Sequence, residues 1–122
     1  MVHAPGFLKL VNEARPRVKE VSLEEARLRL EQDPRAILLD VREDKEWEKG
    51  HAQRALHLGK GVLERDLEEL IPNPQTEIIM YCGGGYRSVL TCDAAQRMGY
   101  TSVHSLAGGY KAMVAAHWPM TA

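Results

Sequence analysis

Cys82-Gly83-Gly84-Gly85-Tyr86-Arg87-Ser88 puts a nucleophile, three glycines, a cation and a helix-capping hydroxyl into seven residues. A cysteine reacts as its thiolate, so the chemistry turns on what around it stabilises negative charge. The glycines permit positive φ, which lets successive backbone N–H groups turn inward around one point. Arg87 adds a full positive charge. Ser88 is suited to cap a helix whose first N–H groups carry a positive partial charge. Surroundings of this kind lower a thiol pKa below the free value of about 8.5. Cys82, expected at the rim of that concavity, therefore reads as a nucleophile able to form a covalent intermediate. The competing reading is a small core residue at a strand end, the ordinary fate of a free cysteine. The glycines, the arginine and the cap tip the balance toward the nucleophile.

Such a loop needs a rigid strand before it and a helix behind it. Ile78 to Tyr81 is apolar and uncharged, as a strand buried on both faces would be. A helix from Ser88 to about Met98 follows, with Gly99 past its end. Ala36 to Val41 is a second continuous apolar run. It carries Asp40 and Arg42 at its C-terminal end, where open α/β sheets place their sites. Val18–Val21 reads as an edge strand, and Ala55–Leu58 and Thr101–Leu106 as further strands. Ser22-Leu23-Glu24-Glu25 is a capping box that starts a helix running to about Gln32, with Leu23, Ala26, Leu28 and Leu30 partly buried. Short helices are expected over Asp44–Lys49, Gly61–Leu70 and Tyr110–Ala116. Gly108-Gly109 reads as a second, flexible loop. Strands alternating with helices predict an α/β fold, an open and mainly parallel sheet with helices on both faces. Phe7, Leu8, Leu10 and Val11 recur at helical spacing. Residues 1–17 are therefore expected as a helical extension, ended by Pro16 and packed on the outside of a domain spanning 18–122, or serving as an interaction helix.

The chain has 122 residues, enough for one domain with a real core. Sixteen basic and seventeen acidic residues give a formal net charge of −1, so neither nucleic acid nor an anionic membrane is an expected partner. No apolar stretch reaches spanning length, no secretory signal is recognisable, and two cysteines make no disulfide framework. A cytoplasmic, reducing setting is expected. The five histidines show no paired ligand spacing and the glycine loop lacks the Gly-Lys-Ser/Thr ending. No metal, nucleotide or other cofactor is therefore expected. Cys92 could be a resolving thiol, but helix geometry favours a core residue.

Four blocks in order resemble the single-domain rhodaneses, sulfurtransferases of the rhodanese-like superfamily. They are Asp40-Val41-Arg42-Glu43 with Glu46-Trp47, Gly50-His51-Ala52 with Ala55, the Cys82–Ser88 loop, and Leu106-Ala107-Gly108-Gly109. The resemblance implies that Cys82 attacks the sulfane sulfur of a donor such as thiosulfate or a persulfide. Cys82 would then hold that sulfur as a persulfide and pass it to cyanide, a thiol or a protein acceptor. It implies a cradle formed by Gly83, Gly84, Gly85, Tyr86 and Ser88, with Arg87 holding an anionic donor and Asp40 and Arg42 supporting neighbouring loops. Three departures stand out. Glu46 stands where two-domain thiosulfate enzymes carry an arginine, and glycine fills the loop where they carry a basic residue. Arg54 replaces a glycine of the Gly-His block. The first two make this site less positive and thiosulfate a poorer donor.

Two rival functions remain at this point. Phosphatases and arsenate reductases on the same scaffold place five residues between cysteine and arginine, whereas four separate Cys82 from Arg87. A non-catalytic rhodanese-like binding or regulatory module would commonly lack the cysteine.

Overall fold

The computed structural model describes residues 3–122, so Met1 and Val2 of the expected N-terminal extension lie outside the described residues. The apolar runs become the middle of the sheet: β2 (Ile37–Asp40) and β5 (Ile78–Tyr81) pair in parallel, with Ile37 opposite Ile78 and Asp40 opposite Tyr81. β1 (Lys19–Val21), β4 (Leu56–His57) and β6 (Val103–Leu106) complete five parallel strands in the order β1-β6-β5-β2-β4. A small antiparallel pair that the sequence reading did not anticipate, β3 (His51–Ala52) with β7 (Met120–Thr121), ties the C-terminus to the segment after Gly50.

Side chains alternate along β5, and this alternation decides where the cysteine points. Ile78, Met80 and then Cys82 join the core shared with Leu63 and Leu67 of α4 (Leu63–Leu70) and Cys92 and Ala95 of α5 (Arg87–Arg97). Ile79 and Tyr81 face the opposite way, toward Ala26 of α2 (Leu23–Gln32) and Met113 of α6 (Gly109–Ala115). Helices thus cover both faces, as expected of a mainly parallel sheet. Ser22 caps α2 by accepting from the Glu25 N–H at 3.1 Å. One expectation fails on that helix: Leu28 is 45 % exposed, because the buried stripe runs through Leu23, Ala26 and Leu30.

α1 (Pro5–Ala14) runs into a 3₁₀ turn at Arg15–Arg17 that contains Pro16. It lies on the outside of α5, burying Val11 and Ala14 against Val89. Arg17 pairs with Asp93 through Nε at 3.0 Å and Nη2 at 2.9 Å, which fixes the exit of α1 to α5.

Candidate active site

β5 delivers Cys82 to a buried position, 1 % exposed, so the thiol lies at the floor of the loop and not at its rim. Its Sγ accepts from the Gly85 N–H at 3.2 Å and the Ser88 N–H at 3.4 Å, and lies 3.5 Å from Ser88 Oγ. Ser88 Oγ is in turn 2.7 Å from Ser105 Oγ on β6. Ser88 does not cap α5, which begins at Arg87 without a side-chain cap. The sulfur takes an N–H that a capping side chain would have accepted, so the dipole of an eleven-residue helix is aimed at Cys82.

The loop is held open from behind. The N–H groups of Tyr110 and Lys111, in the first turn of α6, donate to the carbonyls of Cys82 at 2.7 Å and Gly83 at 3.1 Å. Peptide planarity then turns the N–H groups of Gly83 and Gly84 away from α6. Two glycines permit this close approach. Gly85 has φ +95°, and a Cβ there would lie 2.9 Å from Gly108 N; Gly109 has φ +54°, and a Cβ there would overlap the Cys82 carbonyl. Gly108-Gly109 is therefore a packed wall of the site and not the flexible loop expected. Gly84 is exposed and marks the open side.

Arg87 is taken up by Glu46 in a two-pronged pair, Nη1 to Oε1 at 2.7 Å and Nη2 to Oε2 at 3.1 Å. Those hydrogen bonds hold the Glu46 carboxyl below its usual range and push Arg87 further up. Glu46 belongs to α3 (Asp44–Glu48), where Oε1 also accepts the Glu43 N–H at 3.1 Å as the reciprocal half of a capping box. One carboxylate thus anchors a helix start and covers the loop arginine. The pair sits over Gly83, where a Cβ would be 3.0 Å from Arg87 Nη2.

Asp40 and Arg42 form a buried ion pair at 2.8 Å, and Arg42 Nη2 also donates to the Gly50 carbonyl at 2.8 Å. The guanidinium lies 4.0 Å from the Tyr110 ring centroid. This cluster connects the end of β2 to the Gly50 turn and to α6. It does not touch Cys82. Trp47 stacks on His51 with centroids 3.4 Å apart, and on His57 at 4.8 Å. The side chain of Tyr86 leaves the cradle and packs outward against His3 of the N-terminal segment, at 4.3 Å between centroids. Cys92 is fully buried in the apolar core, and burial pushes its thiol well up.

Sequence reasoning missed Ser105 and the pairing of Glu46 with Arg87. Ser105 did leave a signal, a small hydroxyl inside the apolar strand Val103–Leu106; the Glu46 contact spans 41 residues and left none. Arg54, the departure in the Gly-His block, adopts φ +67°, the left-handed conformation that a glycine would take without strain.

The family model described as Rhodanese-like domain matches residues 22–116. YrkF of Bacillus subtilis, which carries the name of a sulfur carrier protein, is 31 % identical over 94 residues, covering 77 % of this chain and 50 % of that protein. The chain thus spans half the length of that relative. YtwF of the same organism, which carries the name of a sulfurtransferase, is 30 % identical over 87 residues, covering 71 % of this chain and 82 % of that one. Among solved structures, a thiosulfate sulfurtransferase from Pseudomonas aeruginosa superposes with TM-score 0.79 at 25 % identity, over 92 % of this chain and 21 % of that one. A Rhodopseudomonas palustris protein of unknown function, named as a possible tyrosine phosphatase, superposes with TM-score 0.77 at 24 % identity over 99 % and 98 % of the two chains. That likeness speaks for the fold alone. With the family match running through all four sequence blocks and most of the chain, this chain belongs to the rhodanese-like domain family.

Proposed function

We propose that the protein is a sulfurtransferase that carries a sulfane sulfur on Cys82. The Cys82 thiolate attacks the outer sulfur of a donor, and the donor's S–S bond breaks. With thiosulfate, sulfite leaves with the bonding pair; with a persulfide, a thiolate leaves. Cys82 then bears the transferred sulfur as a persulfide, and an acceptor (cyanide, a thiol, or a thiol on a partner protein) attacks that sulfur and releases the Cys82 thiolate. The chain's own groups have distinct parts in this. The N–H groups of Gly85 and Ser88 hold the negative sulfur before attack and after release. Ser88 Oγ, oriented by Ser105, adds an adjustable hydroxyl. Gly83, Gly84 and the backbone of Tyr86 line the space for the terminal sulfur. Asp40 and Arg42 are positioning residues, fixing the Gly50 turn and α6 around the loop.

The observation that carries this reading is the pair of backbone N–H groups aimed at Cys82 Sγ, one from the loop and one from the first turn of α5. The relatives named for sulfur carriage and sulfur transfer support it. Thiocyanate formation from thiosulfate or a low-molecular-weight persulfide, with cyanide as acceptor, tests it. Transfer that vanishes in Cys82→Ser, with the circular dichroism spectrum unchanged, is the expected result. Full activity in that variant would overturn the mechanism.

A further inference from the structure

The loop arginine already holds a carboxylate. Both nitrogens of Arg87 that form the pair are used on Glu46, at 2.7 and 3.1 Å, and the pair lies across Gly83 at the mouth of the site. The two side chains are 28 % and 35 % exposed, so the pair is open to solvent beside the loop. Glu46 is itself held, because its Oε1 also serves the capping box of α3. A donor that needs Arg87 for its charge must either displace a two-pronged, anchored carboxylate or sit beside one.

From this geometry we infer that Glu46 is a specificity residue that selects sulfur donors by charge, favouring singly charged or uncharged donors over dianions. The inference rests on the sulfur-transfer reading above and names the donor class of that same site. A dianion such as thiosulfate meets Arg87 neutralised and the Glu46 carboxylate close by. An organic thiosulfonate carries one charge and offers the same outer sulfur. Both reactions balance. The Cys82 thiolate takes the outer sulfur from thiosulfate and sulfite leaves as a dianion; from benzenethiosulfonate it takes the same sulfur and benzenesulfinate leaves as a monoanion. In each case one S–S bond breaks, one forms, and no proton or external electron is needed.

The test compares kcat/KM for thiosulfate and for benzenethiosulfonate, with cyanide as acceptor, in the wild type, Glu46→Gln and Glu46→Ala. Gln keeps the oxygen that caps α3 and removes the charge; Ala removes both, so the two variants separate charge from local packing. Glu46→Gln is expected to raise thiosulfate relative to benzenethiosulfonate by about tenfold, the order one charge contact is worth at a half-exposed site. The gain should appear as a lower KM for thiosulfate. It should shrink as salt is raised, since the effect is a charge contact near solvent. A thiosulfate-to-thiosulfonate ratio unchanged in both variants overturns the inference and leaves sulfur transfer standing. A ratio that rises only in Glu46→Ala overturns it too, because space and not charge would then be the cause. Absence of Cys82-dependent transfer from either donor in all three folded proteins overturns the function together with the inference.

Discussion

Cys82 and Cys92 are both buried, 1 % and 0 % exposed, both are free thiols, and both belong to the core between the sheet and helices α4 and α5. Their electrical surroundings are opposite. Cys82 ends a strand, and two backbone N–H groups and a hydroxyl meet its sulfur. Cys92 lies inside α5 among apolar side chains, where desolvation, and after it the charge of a Cys82 thiolate, push its thiol up. Burial alone therefore does not fix the polar surroundings of a cysteine. What separates the two sites is whether polar groups replace the water that burial removed. The strand end allows it, since the chain there is free to turn its N–H groups toward the sulfur. A helix interior forbids it, since every nearby N–H is already spent on a carbonyl.

The largest effect that would break this contrast comes from the thiols themselves. Cys82→Ser should lose sulfur transfer altogether, whereas Cys92→Ala should keep it and lose only about 1 kcal/mol of stability from a small cavity. Iodoacetamide on the native protein, followed by peptide mapping, should label Cys82 and spare Cys92. Labelling of Cys92 at the same rate would show that the contrast is wrong.

Next in size is the loop. Gly85→Ala places a Cβ at φ +95° and 2.9 Å from Gly108 N. Strain at such a position costs about 1–3 kcal/mol. If the loop shape is what stabilises the sulfur, transfer should fall by more than the melting temperature suggests. A variant with full kcat/KM would mean that the cradle is not needed.

Smaller again is the hydroxyl pair. Ser105→Ala leaves Ser88 Oγ with the sulfur as its remaining partner, and Ser88→Ala removes the hydroxyl. Each should cost about 1 kcal/mol, close to a fivefold fall in kcat/KM, with Ser88→Ala the larger of the two. Equal stability loss with no change in kcat/KM would assign both serines to packing alone.

The smallest effect lies away from the site. Arg54 is exposed and held at φ +67°, so Arg54→Gly relieves backbone strain, and after the entropy that glycine adds to the unfolded chain it should stabilise the fold by about 0.5 kcal/mol. Activity should stay the same, and chemical denaturation measures the gain. Destabilisation would mean that the Arg54 side chain makes a contact worth more than the strain.

Much of this architecture could be read from local pattern. The runs Ile37–Asp40 and Ile78–Tyr81 carry no solvent-facing alternation, so they had to be central strands, and Ser22 with Glu25 announced the start of α2. The loop composition pointed to Cys82 as the candidate nucleophile. Depth could not be read. A rim cysteine and a floor cysteine have the same sequence; what puts Sγ at the floor is α6, whose Tyr110 N–H comes from 28 residues away to take the Cys82 carbonyl. The start of α5 was misplaced by one residue because a serine after a glycine-rich loop looks like a cap, and the sulfur assumes that role instead. Glu46 appeared in the sequence as a missing positive charge. Its actual contact, a pair with Arg87, depends on how α3 packs over the loop, which no local pattern encodes.

Sulfur carriage on Cys82 can be read from the intact mass of the protein after incubation with a sulfane-sulfur donor, before and after adding cyanide. The expected result is a gain of one sulfur atom that maps to Cys82, is lost on cyanide addition and is absent in Cys82→Ser. A folded protein that gains no sulfur from thiosulfate, from a thiosulfonate or from a persulfide, or one whose added sulfur persists in Cys82→Ser, would contradict it.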